Sequence, residues 1–425
     1  MQLKKPRPIR AALTAATWSV ITGLPQPAQA ADAQPWEFDT ALLYYSESDR
    51  VSAAEPVIRA RKPLGDDEYV NLRIVIDSLT GSSANGAIPT DAPQTFTSPS
   101  GERTYTTPAN RTPLDPSFLD TRFALNAEWE KPLTRTLRGV FGFNGSKEYD
   151  YTSVGVSATL ARDFNNRNTT ISGGLSYNAD TVDPVGGAPL GLSAVPTSVG
   201  APKQTLSDSE GKNVTELLLG WTQVIDRKTL MQFNYSFGKD DGYLTDPYKL
   251  LSVVDGATGV LAATPYLYEK RPDSRTRQSL YWKTRHQFSE DVLTTVYRYY
   301  RDDWGVQAHT VDLRYRWELG GGHYLQPHLR YAKQNAADFY RYFLIDGQTP
   351  EFASADYRLG DMTTTTFGVK YGVALARNRE FGVRLEVMQQ SGEGRPAEAI
   401  GVTRNQDLYP TVDAVIFQLS YSFLW

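Results

Sequence analysis

The chain has no cysteine. That excludes a disulfide framework, a thiolate metal site, a cysteine nucleophile and a lipidated N-terminal cysteine. After residue 30 no segment approaches the roughly 18–20 consecutive apolar residues of a membrane-spanning helix. Mean hydropathy is −0.43. This does not exclude a membrane barrel, in which only alternate residues meet lipid. Positive charge is not in excess: the formal net charge is −4, which argues against nucleic acid as a partner.

What is present points to export. Lys4, Lys5, Arg7 and Arg10 precede a short apolar stretch from Ala11 to Leu24, and Ala28-Gln29-Ala30 supplies small residues for cleavage. Residues 1–30 therefore read as a secretory signal peptide and 31–425 as the mature domain. Losing four cations and no acid makes the mature chain more acidic still. The far end is a strand. Val415, Phe417, Leu419, Tyr421, Phe423 and Trp425 alternate with Ile416, Gln418, Ser420, Ser422 and Leu424. Successive side chains of a strand point to opposite faces, so one face is apolar and ends on Trp. Outer-membrane barrels close on such a strand, which implies outer-membrane lipid and the barrel-assembly machinery as partners.

Between these ends, apolar alternation is interrupted by polar or Gly-rich segments. It predicts strands near 37–48, 50–62, 68–80, 120–131, 136–148, 151–163, 168–181, 213–225, 229–240, 275–288, 292–303, 306–319, 323–335, 361–376, 380–391 and 411–425. Pro56 weakens the second. Short connections such as Gly65-Asp66-Asp67, Asn165-Asn166-Arg167 and Gly320-Gly321-Gly322 alternate with long ones near 81–119, 182–212, 241–274, 336–360 and 392–410. The expected fold is all-β: a transmembrane antiparallel up-and-down barrel of about 16 strands, with short periplasmic turns and long external loops.

The polar faces carry charge. Val311, Leu313, Tyr315 and Trp317 oppose Asp312, Arg314, Arg316 and Glu318. Phe381, Val383, Leu385 and Val387 oppose Arg384 and Glu386. An Arg at mid-bilayer costs about 2–4 kcal/mol, so these residues belong inside a wet lumen. The expected lining comprises Arg73, Arg122, Glu128, Arg138, Lys283, Arg285, Arg298, Asp312, Arg314, Arg316, Glu318, His328, Arg330, Lys370, Arg384 and Glu386, with Asp77 and Glu130. Basic residues predominate, and rings of basic side chains favour anions. Cross-strand pairing that stiffens the wall is the alternative use of each charge.

Other features carry less. Asp183 to Gly187, Asp208 to Gly211 and Asp240 to Gly242 are oxygen-rich, but turn chemistry explains Asp and Gly better than Ca²⁺ does. The 241–274 segment is too apolar for an exposed loop and is the candidate to fold inward. His309 and His323 lie on neighbouring strands and could approach, without a carboxylate to complete a metal site. His328 near Asp312 reads as a solvated wall residue rather than a base, and there is no Gly-x-Ser-x-Gly elbow. Neither catalysis nor a cofactor is expected. Trp36, Trp129, Trp221, Trp282, Trp304, Trp317 and Trp425 fit interfacial girdles.

Several segments carry a resemblance: Ser46 to Val51, Asp77 to Gly81 with Asn85 to Ala87, Ser146 to Tyr151, Asp241 to Lys249, Arg271 to Arg275 and Ser354 to Leu359. In this order they resemble the domain of unknown function 3570 family, across essentially the whole mature chain. The resemblance implies an exported Gram-negative outer-membrane barrel without assigned catalytic residues. It also implies gene neighbours that encode a small lipoprotein, a thioredoxin-like protein and a flavin transferase. The leading expectation is a porin-like channel for small polar or anionic solutes. The rival is a barrel with a blocked lumen that acts as scaffold or receptor for a periplasmic lipoprotein or redox partner.

Overall fold

The computed structural model describes residues 35–376 and 379–425. The leader expected at residues 1–30 lies outside the described residues. Sixteen antiparallel strands close into one barrel in chain order. They are Glu37–Glu47, Val51–Gly65, Glu68–Ala84, Leu114–Pro132, Leu137–Lys147, Tyr151–Phe164, Thr169–Val182, Glu210–Val224, Thr229–Gly242, Ser274–Gln287, Val292–Asp302, Gln307–Gly320, His323–Gln334, Met362–Ala376, Arg379–Ser391 and Val412–Leu424. Every strand expected from the alternation is present. The last pairs with the first, Phe38 opposite Phe423 and Tyr44 opposite Phe417. Closure leaves no free edge, so the backbone at membrane depth is paired along the ladders, interrupted between the second and third strands at Glu55 and Pro56.

Pro56 does not end its strand. The ladder to the next strand pairs Ala54 with Ser78 and resumes in the same register at Val57 and Val75. A residue without an N–H costs one rung rather than the strand. The tight turns at one mouth use residues that tolerate left-handed backbone. Asp66 and Asp67 have φ of 50° and 60°, and Asn165 and Asn166 have 52° and 55°.

The two faces differ in chemistry. On Thr169–Val182 the side chains of Ile171, Leu175 and Tyr177 are exposed while Ser172 and Asp180 are buried. On Tyr151–Phe164, Val154, Val156 and Leu160 are exposed while Ser153 and Asp163 are buried. The same period continues around the cylinder through Phe233, Leu280, Val311, Phe367, Val387 and Phe417, all exposed on the outside. A continuous apolar belt is a surface built for hydrocarbon, since soluble monomers keep such patches to a few hundred Å².

Trp129, Trp221, Trp282, Trp317 and Trp425 are exposed at the short-turn mouth. Trp221 stacks on Phe233 at 5.4 Å and Phe233 on Trp282 at 5.9 Å. Trp36 joins them through a backbone bond from Trp425 N–H of 2.9 Å. Trp304 corrects the expectation for that set. It is 4% exposed at the opposite mouth, packed with Phe339 and Leu359 and donating through Nε1 to the Ser274 carbonyl.

The long loops share that opposite mouth with three short connections at 48–50, 148–150 and 303–306, so the alternation of short and long is incomplete. The loops are packed together. Leu250–Val254 pairs with Leu261–Tyr268 and, in parallel, with Leu344–Ile345. Ala87 and Phe96 share a core with Val195, Leu250 and Tyr266. Ile88 and Val254 share another with Phe343, Ala399 and Leu408. The five long loops thus form a cap with its own apolar interior. The 243–273 loop lies at its centre: Leu251 and Val254 are fully buried.

An inside-versus-outside pair of variants checks this assignment. Leu175→Arg should lower unfolding stability in lipid vesicles by about 2–4 kcal/mol, while Ser176→Arg, on the inner face, should cost less than about 1 kcal/mol. Equal losses in urea titrations would contradict it.

Candidate functional site

Pairing register fixes which residues look inward. Arg73, Asp77 and Val75 stand opposite in face to Ile74 and Ile76, and Arg122, Glu128 and Glu130 to Phe123 and Trp129. All sixteen residues expected to line the lumen lie on the inner face. Their environments divide them into two groups.

The first group is spent on the wall. Arg122 Nε donates to Asp77 at 2.5 Å. Arg138 stands 3.6 Å from Glu130 and 3.4 Å from Asp163. Arg316 pairs with Glu318 and lies 3.6 Å over the Tyr324 ring. Tyr324 Oη donates to Glu380 at 2.6 Å, and Lys370 reaches the same carboxylate at 3.0 Å. Gly372 gives Tyr324 its room, because a Cβ there would sit 2.1 Å from the ring.

His328 belongs to this group and corrects the expectation of a solvated ring. Its side chain is 8% exposed, with Nε2 2.9 Å from Asp312 and Nδ1 2.8 Å from Glu386. A carboxylate only accepts, so both ring nitrogens must carry protons. Arg314 at 3.1 Å from Asp312 and Arg384 at 3.6 Å from Glu386 extend the chain of charges. Held between two acids, the ring is a clamp that ties three strands. The other histidines separate. His309 pairs opposite Lys333 and His323 opposite Gly320, at different ends of the strands. Both face out, bonded to Tyr297 at 2.7 Å and Tyr371 at 2.6 Å.

The second group keeps its charge. Among the described residues, no carboxylate lies within 4.0 Å of Arg73, Lys283, Arg285, Arg298 or Arg330, and no base lies that close to Glu128. The signs are also segregated. Strands Ser274–Gln287 to His323–Gln334 point Arg275, Arg277, Lys283, Arg285, Arg298, Arg314, Arg316 and Arg330 inward against Asp302, Asp312 and Glu318. Strands Glu37–Glu47 to Thr169–Val182 place Glu55, Asp77, Asp120, Glu128, Glu130, Asp163 and Asp180 inward against fewer bases. The cationic bias read from the sequence is confined to one arc and faces an acidic arc.

A buried ionic lock joins two cap loops, 243–273 and 335–361, and Tyr248 and Lys249 tie them to the barrel rim. Arg358 lies 2.9 Å from Asp246 and 2.5 Å from Asp356. Arg271 lies 2.6 Å from Glu269 and 2.9 Å from Asp356, and Ser354 Oγ donates to Glu269 at 2.5 Å. Tyr248 Oη donates to Asp150 at 2.5 Å, and Lys249 Nζ donates to the Ala84 carbonyl. The segments that carry the family resemblance converge here. Glu47, Arg50, Asp77, Leu79, Glu148, Lys249, Tyr357 and Arg358 line one cavity of about 60 Å³ between cap and acidic arc. A second cavity, of about 540 Å³, lies between the cap and the basic arc. Sequence reasoning missed the lock, whose only trace was charge inside otherwise apolar loops. The acidic loop segments do not gather: among the described residues no group of three or more His, Asp or Glu is placed to hold a metal ion.

Protonation in the seam follows from burial. Burial, with Asp120 alongside, pushes the Glu148 carboxyl up to about 8, and burial raises Asp150 to about 6 against the bond from Tyr248. Burial also disfavours the Asp356 anion, but Arg358 and Arg271 more than offset it and hold that carboxyl well below the usual range. For a raised acid, stability is lost as pH climbs from the unfolded value near 4.3 to the folded one. For a depressed acid, it is lost as pH falls below about 4. Protease resistance of the cap should therefore peak near pH 4 and decline toward pH 8, and Glu148→Gln should flatten the alkaline decline. A cap whose resistance rises from pH 5 to 8 would contradict the assignment.

A closed barrel with an apolar belt, a tryptophan girdle, a wet charged interior and a loop cap has the build of an outer-membrane barrel protein. The chain belongs to the family described as "Protein of unknown function (DUF3570)", which it matches over residues 10–423. No curated protein matches it. Among solved structures it is similar to a bacterial polysaccharide outer membrane secretin, at 9% identity, 92% of this chain, 100% of that chain and a TM-score of 0.43. It is also similar to the ferric enterobactin receptor PfeA of Pseudomonas aeruginosa, at 10% identity, 92% of this chain, 61% of that chain and a TM-score of 0.46. The monoaromatic hydrocarbon channel TodX, as a deletion mutant, is similar at 12% identity, with 93% of this chain, 91% of that chain and a TM-score of 0.38. At these identities and scores none of them bears on what this chain does.

Proposed function

We propose that the protein is a porin-like channel of the bacterial outer membrane, exported through the periplasm, that passes small anionic solutes slowly through a capped lumen. The observation that supports this most is the set of unneutralised cations on the basic arc: Lys283, Arg285, Arg298 and Arg330. Maintaining like charges together without counter-ions costs energy that wall stiffening does not require. An anion in transit supplies what they lack. No catalytic role is proposed for any residue. His328 carries no free nitrogen, and its neighbours are ion-paired.

The cap favours a second reading. Its shared apolar cores and buried ionic lock suit a lumen that stays shut, with the barrel serving a lipoprotein or redox partner at the periplasmic mouth. Planar-bilayer recording of the purified mature protein separates the two. The channel reading expects steady conductance with a reversal potential set by the anion gradient, and several-fold larger conductance in Arg358→Ala, which loosens the cap. Silence in both proteins, or cation preference, would overturn it.

A further inference from the structure

We propose that the larger cavity, between the cap and the basic arc, is a binding site for a small organic anion that pairs an acidic head with an apolar or planar body. The proposal deepens the channel reading and rests on it only for the route by which the anion arrives.

The head site is built from Arg277, Arg298 and Arg330, all lining the cavity. Arg298 stands opposite Thr310, and Arg330 opposite Asp312, the next inward position of the strand between them. Arg277 and Arg330 are near enough for their charges to act on Arg298. Among the described residues neither Arg298 nor Arg330 has a carboxylate within 4.0 Å; Asp312 is engaged by His328 and Arg314. Arg277 is committed through Nη2 to Asp240 at 2.7 Å and Glu216 at 3.3 Å, which leaves its Nε buried and without a partner. The Tyr243 hydroxyl, in the cap above, is also buried and without a partner. Two uncompensated guanidiniums, those of Arg298 and Arg330, line one space. Guanidiniums bind carboxylate or phosphate oxygens in a bidentate fashion.

The other half of the cavity has no use for a bare inorganic ion. Leu244, Trp304, Val306 and Met362 contribute to its wall. A volume of about 540 Å³ falls within the roughly 300–1,000 Å³ of small-molecule sites. A lining that combines guanidiniums with Leu244, Trp304, Val306 and Met362 selects an amphipathic anion.

Titration calorimetry of the full mature protein in detergent tests this with four probes: phthalate, inorganic phosphate, benzyl alcohol and benzylamine. Phthalate should bind once per barrel, at least about tenfold tighter than phosphate or benzyl alcohol, with no binding of benzylamine. Arg298→Gln and Arg330→Gln should each weaken phthalate about tenfold or more, while Arg227→Gln, in the short turn 225–228 at the other mouth, leaves it unchanged. Absence of phthalate binding to the unmodified protein, phosphate binding as tightly as phthalate, or equal affinity in all three variants would overturn the site. The channel reading fails separately. Cation preference in bilayers with phthalate still bound removes the channel and keeps the site, whereas anion preference without phthalate binding removes the site alone.

Discussion

Everything in this molecule depends on one cylinder wall that meets hydrocarbon on one side and water on the other. A strand can do this because its side chains alternate, and a closed ladder can do it because its backbone groups pair from strand to strand. Once the outer positions are given to residues such as Leu175, Phe233 and Phe367, the inner positions are free to carry charge at low cost. The barrel uses that freedom unevenly: some charges are clamped in pairs, and others are left open on one arc.

The clamps and the open charges have different physics. Where His328 joins Asp312 and Glu386, three strands are tied by one imidazolium, and the charges cancel locally. Arg298 and Arg330 have no such cancellation, so their field extends into the lumen. The acidic arc opposite makes the interior polar across its width rather than along its length. The cap then covers this field with a folded body whose buried ionic lock, centred on Arg358 and Asp356, holds two of its loops together.

The strands are legible in the sequence because their signal is local. A period of two over a dozen residues can be read without knowing a single partner, which is why even Val51–Gly65 is recognisable despite Pro56. Facing is legible for the same reason. Pairing between distant segments is not. Whether Arg384 is spent on Glu386 or Arg330 is left open depends on register and rotamer, not on alternation. The cap is legible only as an oddly apolar 241–274 segment, because its cores join Ala87, Val195 and Leu250 from three loops. Trp304 escapes sequence reasoning by the same blindness. A Trp at a strand end can serve a girdle or a cap, and only the loops packed against it decide.

The central claim is the two-solvent wall, and the absence of cysteine makes it directly measurable, since single cysteines can be introduced without background. A spin-label scan along Thr169–Val182 in lipid vesicles should show oxygen accessibility high at odd positions such as 171, 175 and 177, and low at the even positions between them. A water-soluble nickel relaxant should show the opposite phase. Accessibility to the nickel relaxant on both faces would mean that the belt never meets lipid, which would contradict a wall shared between hydrocarbon and water.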